Sequence, residues 1–353
     1  MKKVLLVWTR RALVISLYAA ALSTLTVFFV PLAVAAALYD RVRSQPWTAT
    51  RALVFFVWYL ACELAGVAAS FAIWVVSGRR HDRFLDWNYG LQRWWTRMLA
   101  RGGFRIFDIE LDIDPSDYRF GQRPVLIFVR HASVADTILA AMLIAVPHRT
   151  RLRYVLKREL LWDPCLDIVG NRLPNVFVRR DSVQTERELA SVAALATDLG
   201  PADGVLIYPE GTRFSPAKKA RVIAKLREQG REDAAREAES LRHLLRPRSG
   251  GALALLEAAR DADVIFLAHT GFEGSASFDR FFNGGLIGRT VRAELRVVRS
   301  QDVPRDPAAR RAWLMENWRQ VDSFIDAHEK ETGGRHRERN AEVVVDQPVQ
   351  FEE

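Results

Sequence analysis

The stretch "LIFVRHASVADTILAAM", residues 126–142, places one apolar run directly before His131 and begins a second just after Asp136. The first run has the length and composition of a buried strand, and the second has those of a helix. Parallel strands need a crossover connection, which is usually a helix. This junction therefore predicts a βα unit of a parallel sheet.

The same alternation recurs along the rest of the chain. From about residue 104, β-rich runs such as "RYVLKREL", "NVFVRRD", "GVLIYPEG" and "VIFLAHTGF" alternate with helical patterns. This texture predicts an α/β domain over residues 81–330, with a mostly parallel sheet flanked by helices. Polar groups that follow such strands are expected to converge on one cleft. Residues 331–353 are polar and are predicted to form a disordered tail.

The overall composition indicates an anionic partner without identifying it. The chain has 353 residues, 49% hydrophobic content and a formal net charge of +9. Such charge suits nucleic acid, phospholipid headgroups or phosphorylated substrates. No nucleic-acid-binding motif is found, so nucleic acid is not a predicted partner. Cys62 and Cys165 have no metal-ligand spacing, and no metal site is predicted.

Residues 1–80 are predicted to form a hairpin of two membrane helices. The apolar runs cover about residues 12–38 and 52–76, and about 20 apolar residues suffice to cross a bilayer core. Pro31 is the predicted kink of the first helix. The Lys and Arg residues at the outer ends favour a cytosolic location for both ends. The sequence thus predicts an integral membrane protein with its α/β domain in the cytosol, at the inner membrane if the source is bacterial.

Two features of the membrane end each have two interpretations. Glu63, which interrupts the second run, is either an intramembrane functional site or part of a shallow or re-entrant helix. In the second case its side chain faces a partner helix or water. Residues 81–103 interleave tryptophans and arginines at helical spacing. They form either an interfacial helix on the bilayer or an amphipathic helix that covers the core.

His131 and Asp136 are the first candidates for chemistry. A carboxylate bonded to one ring nitrogen fixes the tautomer and raises the basicity of the other nitrogen. His131 could then act as a general base, which typically contributes about 10² to 10⁴ in rate. The alternative is structural, because an Asp at this place also favours a helix N-terminus. The pair alone does not decide between the two interpretations.

Familiar nucleophile and nucleotide motifs are missing from the sequence. It contains no G-x-S-x-G elbow and no paired-cysteine signature. P-loop and G-x-G-x-x-G signatures are also absent. If His131 is catalytic, we therefore expect a substrate to supply the nucleophile.

The segment "IYPEGTRFS", residues 207–215, forms the second candidate. Gly211 allows a close backbone approach, Thr212 offers a hydroxyl, and Arg213 offers a planar fork for phosphate. Glu210 could orient Arg213. The alternative is a strand-end turn that holds only an ion pair.

Basic side chains at two further strand ends form the third candidate. Arg179 and Arg180 follow the run "NVFV", and Lys157 closes the run "RYVLK". Guanidinium groups at such positions can bind phosphate oxygens bidentately. The alternative is that the arginines are exposed and simply precede a helix start.

In this order, the blocks resemble those of the glycerophospholipid acyltransferases, the family that includes the 1-acyl-glycerol-3-phosphate acyltransferases. The resemblance covers about residues 85–300. His131 and Asp136 match its H-x-x-x-x-D block, in which Ser133 also stands where serine is common. The other matches are Lys157, Glu159 and Leu160 with K-x-E-L, Gly170, Phe177, Val178 and Arg180 with the glycine-to-F-[I/V]-x-R block, Pro209 to Arg213 with P-E-G-T-R, and Arg248 within a P-R-x-x-G stretch.

The resemblance implies an O-acyltransferase of phospholipid biosynthesis. It implies acyl-CoA as co-substrate, no cofactor, and lysophosphatidate as the acceptor whose hydroxyl His131 deprotonates while Asp136 holds the imidazole. The residues expected to bind the acceptor phosphate are Lys157, Arg180, Glu210, Gly211, Thr212 and Arg213, with Ser133, Arg179 and Arg248 as further candidates.

Two departures from the family pattern leave the acceptor open. Arg130 stands where the family often has asparagine, and "AHTGFEG" is an unusual form of its last block. Another lysophospholipid, such as lysophosphatidylinositol, is the alternative acceptor. A catalytically silent lipid-binding membrane protein is the alternative from a different functional class.

Overall fold

Within the described residues, the sheet has seven strands: β1 (Glu110–Ile113), β2 (Val125–Val129), β3 (Arg151–Lys157), β4 (Val176–Val178), β5 (Asp203–Ile207), β6 (Asp263–Thr270) and β7 (Thr290–Val298). This computed structural model describes residues 2–78, 81–114, 116–133, 135–178, 186–275 and 278–345. The strand order is β1-β7-β6-β2-β5-β3-β4. All neighbouring strands are parallel except β6 and β7. The predicted mostly parallel sheet is confirmed.

Helices cover both faces of this sheet. They are α1 (Lys2–Val27), α2 (Phe29–Val42), α3 (Thr48–Ser77), α4 (His81–Phe107), α5 (Ala135–His148), α6 (Pro164–Gly170), α7 (Glu186–Ala194), α8 (Pro216–Glu228), α9 (Glu232–Ser240), α10 (Ser249–Ala258), α11 (Phe278–Phe282) and α12 (Pro307–Val345).

The alternating residues of the central strand belong to two different cores. Leu126 and Phe128 of β2 pack with α7, α10 and α12, around the buried Trp318. Val125, Ile127 and Val129 pack on the opposite face, with α5 and the end of α4. All five residues of β2 are buried, as expected for a parallel strand that is covered on both faces.

The first apolar run is interrupted once, near the predicted kink. α1 ends at Val27 and α2 begins at Phe29. Pro31 has no N–H to donate to the carbonyl of Val27, and its ring crowds that carbonyl. The neighbouring helical bonds remain, since Phe28 N donates to Thr24 O and Leu32 N to Phe28 O, both at 3.0 Å. The interruption therefore lies one turn before Pro31.

The second apolar run packs along the α/β domain. α3 is long and apolar enough to cross a membrane, as is Val4–Val27. One side of α3, however, contacts α4 and α6. Cys165 N donates to Glu63 Oε2 at 2.9 Å, and Arg172 Nη1 donates to Ser70 O at 2.7 Å. Glu63 thus faces the α/β domain, which neither interpretation of this residue foresaw.

The start of α1 also contacts the α/β domain. Arg10 Nη2 and Arg11 Nε lie 2.8 and 2.9 Å from Asp167 Oδ2, a buried carboxylate of α6. These two arginines, counted above as evidence for orientation, form ion pairs within the protein. The predicted domain boundaries stay predictions, but the first 80 residues are not a separate body, because α1 and α3 both dock on the domain.

Helix α4 has features of both interpretations of residues 81–103. Tyr89, Leu91 and Leu99 are buried and cover the domain, whereas Trp87 and Trp94 are 39% and 41% exposed.

At the other end of the chain, α12 continues to Val345. The tail predicted to be disordered from residue 331 is therefore helical as far as Val345. Its Glu and Arg residues favour a helix, although Gly333 and Gly334 do not. Residues 346–353 lie outside the described part.

Candidate active site

His131 and Asp136 meet at the carboxyl end of β2. His131 Nδ1 lies 3.1 Å from Asp136 Oδ1, and the two residues are 5% and 0% exposed. The carboxylate accepts the proton on Nδ1, so we assign the lone pair of the ring to Nε2. The arrangement has the geometry of a general base whose tautomer is fixed by a carboxylate.

The second oxygen of Asp136 organises the turn into α5. Asp136 Oδ2 accepts the N–H groups of Ala132 and Ser133 at 2.6 and 2.7 Å. In return, Asp136 N donates to Ser133 Oγ at 3.4 Å. This reciprocal pair is a capping box. The two oxygens of Asp136 thus have separate contacts, Oδ1 with the His131 ring and Oδ2 with the start of α5, so its capping contact does not exclude the predicted catalytic one. Ser133 has a structural contact of its own as the helix cap.

Glu210 holds the backbone of His131 from the neighbouring strand β5. His131 N donates to Glu210 Oε1 at 2.7 Å, and Leu245 N donates to Oε2 at 2.9 Å. Burial raises the pKa of Glu210 to about 8, although both backbone N–H groups favour the carboxylate. Glu210 was expected to orient Arg213 or to bind phosphate. In the structure, both of its oxygens are directed inward and accept backbone N–H groups rather than Arg213. Its part in phosphate binding stays a prediction.

The P-E-G-T-R turn lies directly beside His131. The Tyr208 and His131 rings are 4.6 Å apart, and Phe214 N donates to His131 O at 2.9 Å. Gly211 has a positive φ of 69°, and a Cβ there would lie 3.0 Å from Cδ of Arg248. A side chain at this position would be strained and would press on Arg248. The predicted neighbour Arg248 is therefore in contact with this turn.

Three cationic side chains surround the same turn. Arg213 is half-buried and Arg248 is exposed. Lys218, in the first turn of α8, donates to Thr212 Oγ1 at 3.1 Å and to Arg213 O at 2.9 Å. Sequence reasoning missed Lys218, although its position five residues after Arg213 at a helix start could have indicated it.

The remaining predicted cations lie farther along the sheet. Lys157 ends β3 and pairs in register with Val178 of β4. It therefore stands at the same carboxyl edge as His131, separated from β2 by β5. Arg179 and Arg180, which follow β4, lie outside the described residues.

The two departures from the family pattern contact each other. Arg130 Nη1 donates to Glu273 Oε1 and to His269 O, both at 2.5 Å. Arg130 is 1% exposed, so it does not select an acceptor by direct contact. Burial alone would raise the pKa of Glu273, but Arg130 brings it below its ordinary value. The ion pair connects the end of β2 to the turn after β6.

A second histidine faces the His131–Asp136 pair, and the sequence analysis did not identify it. His269 Nε2 lies 3.1 Å from Arg130 O and 3.8 Å from Asp136 Oδ2. The side chain is fully buried, and its Nδ1 has no hydrogen-bond partner among the described residues. Burial lowers the pKa of His269. Its only signal was a polar residue in the apolar strand "VIFLAHT".

The chain is similar to several known proteins. Residues 112–268 match the family profile described as Acyltransferase. A mouse protein, 1-acyl-sn-glycerol-3-phosphate acyltransferase epsilon (Mus musculus), is 30% identical over 92 residues, 26% of this chain and 25% of that protein. The chain thus spans about a quarter of this relative. A crystal structure of the 1-acyl-sn-glycerophosphate acyltransferase PlsC from Thermotoga maritima aligns with a TM-score of 0.37 at 13% identity, over 76% of this chain and 96% of that one.

The matched segment includes both central blocks of the site. The His131–Asp136 pair and the turn at residues 209–213 fall within it. The resemblance inferred from these blocks is confirmed over residues 112–268, the segment that matches the Acyltransferase profile.

Proposed function

We propose that the protein is a membrane-associated O-acyltransferase that transfers a fatty acyl group from acyl-CoA to the free hydroxyl of lysophosphatidate. The observation that carries this proposal is the His131–Asp136 pair at 3.1 Å, placed beside the P-E-G-T-R turn. A base without a protein nucleophile suits a reaction in which the substrate supplies the hydroxyl.

In the proposed reaction, His131 Nε2 takes the proton of the acceptor hydroxyl. The oxygen attacks the thioester carbonyl, and a tetrahedral intermediate forms. The carbon–sulfur bond then breaks, and the thiolate leaves and is protonated. Asp136 stabilises the imidazolium between these steps. Glu210 keeps the ring in place through the backbone N–H of His131.

The acceptor phosphate is assigned to the cations around the turn. Arg213 belongs to this turn, and Arg248 approaches it from the segment before α10. Guanidinium groups bind phosphate bidentately. Gly211 leaves backbone room for the headgroup, and Thr212 offers a hydroxyl. Lys157 and Arg180 remain candidates for the same role at the neighbouring strand ends.

The N-terminal helices are proposed to hold this site at a bilayer. α1 and α3 are long and apolar enough to cross a membrane. The outer side of α3 exposes Phe71 and Trp74 at 61% and 60%, while its inner side packs on the domain. We infer an integral protein with its α/β domain in the cytosol, in which a one-tailed lipid reaches the cleft from the membrane.

The test is acyl transfer by the purified protein in neutral detergent, with acyl-CoA and lysophosphatidate. His131→Ala should reduce the rate by about 10² to 10⁴ without changing thermal unfolding. His148→Ala is the matched control, because His148 is an exposed histidine at the end of α5. Full activity of a folded His131→Ala variant would refute the mechanism.

The acceptor is tested separately by competition. Lysophosphatidate and lysophosphatidylinositol are supplied together, and the acylated products are separated by mass. Preference for lysophosphatidate supports the proposal. Preference for the inositol lipid would keep the chemistry and replace the acceptor, whereas no acylated product would favour a lipid-binding role.

A further inference from the structure

A groove on the far side of the sheet remains without a role in the proposed reaction. Its volume is about 690 Å³, and it lies between α3, α4 and the turn before β3. The residues that matter below are Trp87, Gly90, Arg93, Trp94, Arg149 and Arg151. Arg151 begins β3, whereas His131 follows the other end of the parallel strand β2. At about 3.3 Å per strand residue, the groove lies roughly 20 Å from the catalytic edge.

The groove carries an excess of positive charge. Arg151 is neutralised by Asp203, with Nε and Oδ1 2.6 Å apart, and lies 3.8 Å from Asp86. Arg93 is half-buried and Arg149 is exposed. Across the ranges that the structure describes, neither forms an ion pair. Burial and the neighbouring Arg149 lower the pKa of Arg93, and the groove-lining Asp86 offsets this only in part. One carboxylate in the groove faces three arginines, of which Arg151 also pairs with Asp203, so a bound anion would relieve the remaining positive charge.

Apolar surface borders these cations. Trp87 and Trp94, two helical turns apart on α4, are 39% and 41% exposed. Ile73 of α3 lines the groove, and the exposed Trp74 follows it. Tryptophans beside arginines are typical of the level at which lipid headgroups meet acyl chains.

Gly90 keeps the groove open at a cost to the helix. It lies in the interior of α4, where a glycine destabilises a helix by about 0.5–1 kcal/mol relative to alanine. Packing does not require it, because a Cβ at this position would meet only Arg93 Nη2, at 3.9 Å. The missing side chain leaves room beside Arg93.

We propose that this groove binds the phosphate-bearing headgroup of an anionic phospholipid of the membrane. Arg93 and Arg149 contact the phosphate, the two tryptophans flank the glycerol, and the acyl chains lie along the exposed apolar side of α3. The ligand is a membrane component rather than a substrate, since the groove is at the opposite edge of the sheet from His131.

The test is lipid retention by the full chain in neutral detergent, measured by native mass spectrometry. Phosphatidylglycerol and phosphatidylcholine with the same acyl chains are added separately. The double variant Arg93→Gln, Arg149→Gln removes the positive charge of the groove. Gly90→Leu fills the space in the groove and keeps both arginines. Arg97→Gln with Arg101→Gln is the matched control, because these two exposed arginines of α4 do not line the groove.

The wild type and the control should retain phosphatidylglycerol over phosphatidylcholine. Both groove variants should bind phosphatidylglycerol roughly tenfold more weakly, and Gly90→Leu should do so without loss of thermal stability. Wild-type retention in both groove variants, equal loss in the control, or no preference between the lipids would overturn the proposal. Displacement of the lipid by millimolar inorganic phosphate would also overturn it, since the site would then be one for free phosphate. The readout does not depend on acyl transfer.

Discussion

Replacing Glu273 by Gln should expose the energetic role of the buried Arg130. The two side chains are 30% and 1% exposed, and Arg130 Nη1 lies 2.5 Å from Glu273 Oε1. Removing one partner of a buried ion pair typically costs about 3–5 kcal/mol. Gln keeps the shape and one acceptor oxygen, and Glu273 is partly exposed. We therefore expect a loss of about 2–3 kcal/mol, the range of a hydrogen bond to a charged group.

The assay is thermal unfolding in one detergent at one heating rate. The expected decrease in Tm is roughly 4–12 °C, from about 2–4 °C per kcal/mol for a large domain. Arg130→Met removes the buried cation, so adding Glu273→Gln to that variant should cost less than about 1 kcal/mol. The resulting coupling between the two positions should be about 2 kcal/mol.

The same variants separate stability from activity. Glu257→Gln is the matched control. Glu257, near the end of α10, is the carboxylate partner of another buried arginine, Arg310 of α12. Glu273→Gln should lower kcat, since Arg130 directly precedes His131, whereas Glu257→Gln should not. An equal loss of Tm from Glu273→Gln with Arg130 present and with Met in its place would refute the reasoning.

Four further substitutions probe the surrounding groups. Asp136→Asn should lower kcat by about 10² to 10⁴. Ser133→Ala should instead cost about 1 kcal/mol of stability, with little change in kcat. Similar kcat values for both variants would contradict the separate roles of the two Asp136 oxygens. Glu210→Gln should cost about 1–3 kcal/mol in thermal unfolding, because one of two backbone N–H groups loses its acceptor; an unchanged Tm would contradict this. The lowered pKa of His269 means that the unfolded chain binds more protons below pH 6.5, so stability should fall as pH falls through that range. His269→Gln, with Asp136, Arg130 and Glu273 unchanged around it, should show a weaker fall between pH 7 and pH 5, and an identical fall would exclude His269 as its source.

The sheet could be predicted from sequence because burial on both faces leaves a strong pattern. The five residues of β2 are all apolar and all buried, so "VLIFV" identifies a central strand by composition alone. The positions of His131 and Glu210 then follow from topology, since the carboxyl ends of parallel strands meet at one edge. The number of residues between the His131 block and the Glu210 block does not by itself indicate that they lie side by side.

The docking of α3 could not be predicted in the same way. Hydropathy measures only the mean character of a helix, and α3 is apolar on the side that meets the domain as well as on the outer side. The one signal was Glu63, and a single acidic residue does not indicate which surface it faces. The partner, Cys165 N, is a backbone group that no sequence pattern records.

Arg130 and the "AHTGFEG" block illustrate a different limit. Each is unusual alone, and each was interpreted as evidence about the acceptor. In the structure they form one ion pair. A buried arginine without a carboxylate would be costly, so Arg130 depends on the carboxylate at position 273. Because β2 and β6 are neighbours, both residues lie at the strand ends that carry His131 and His269. The departures therefore concern how the base is held in place, and acceptor choice is better sought among Arg213, Arg248 and Lys157.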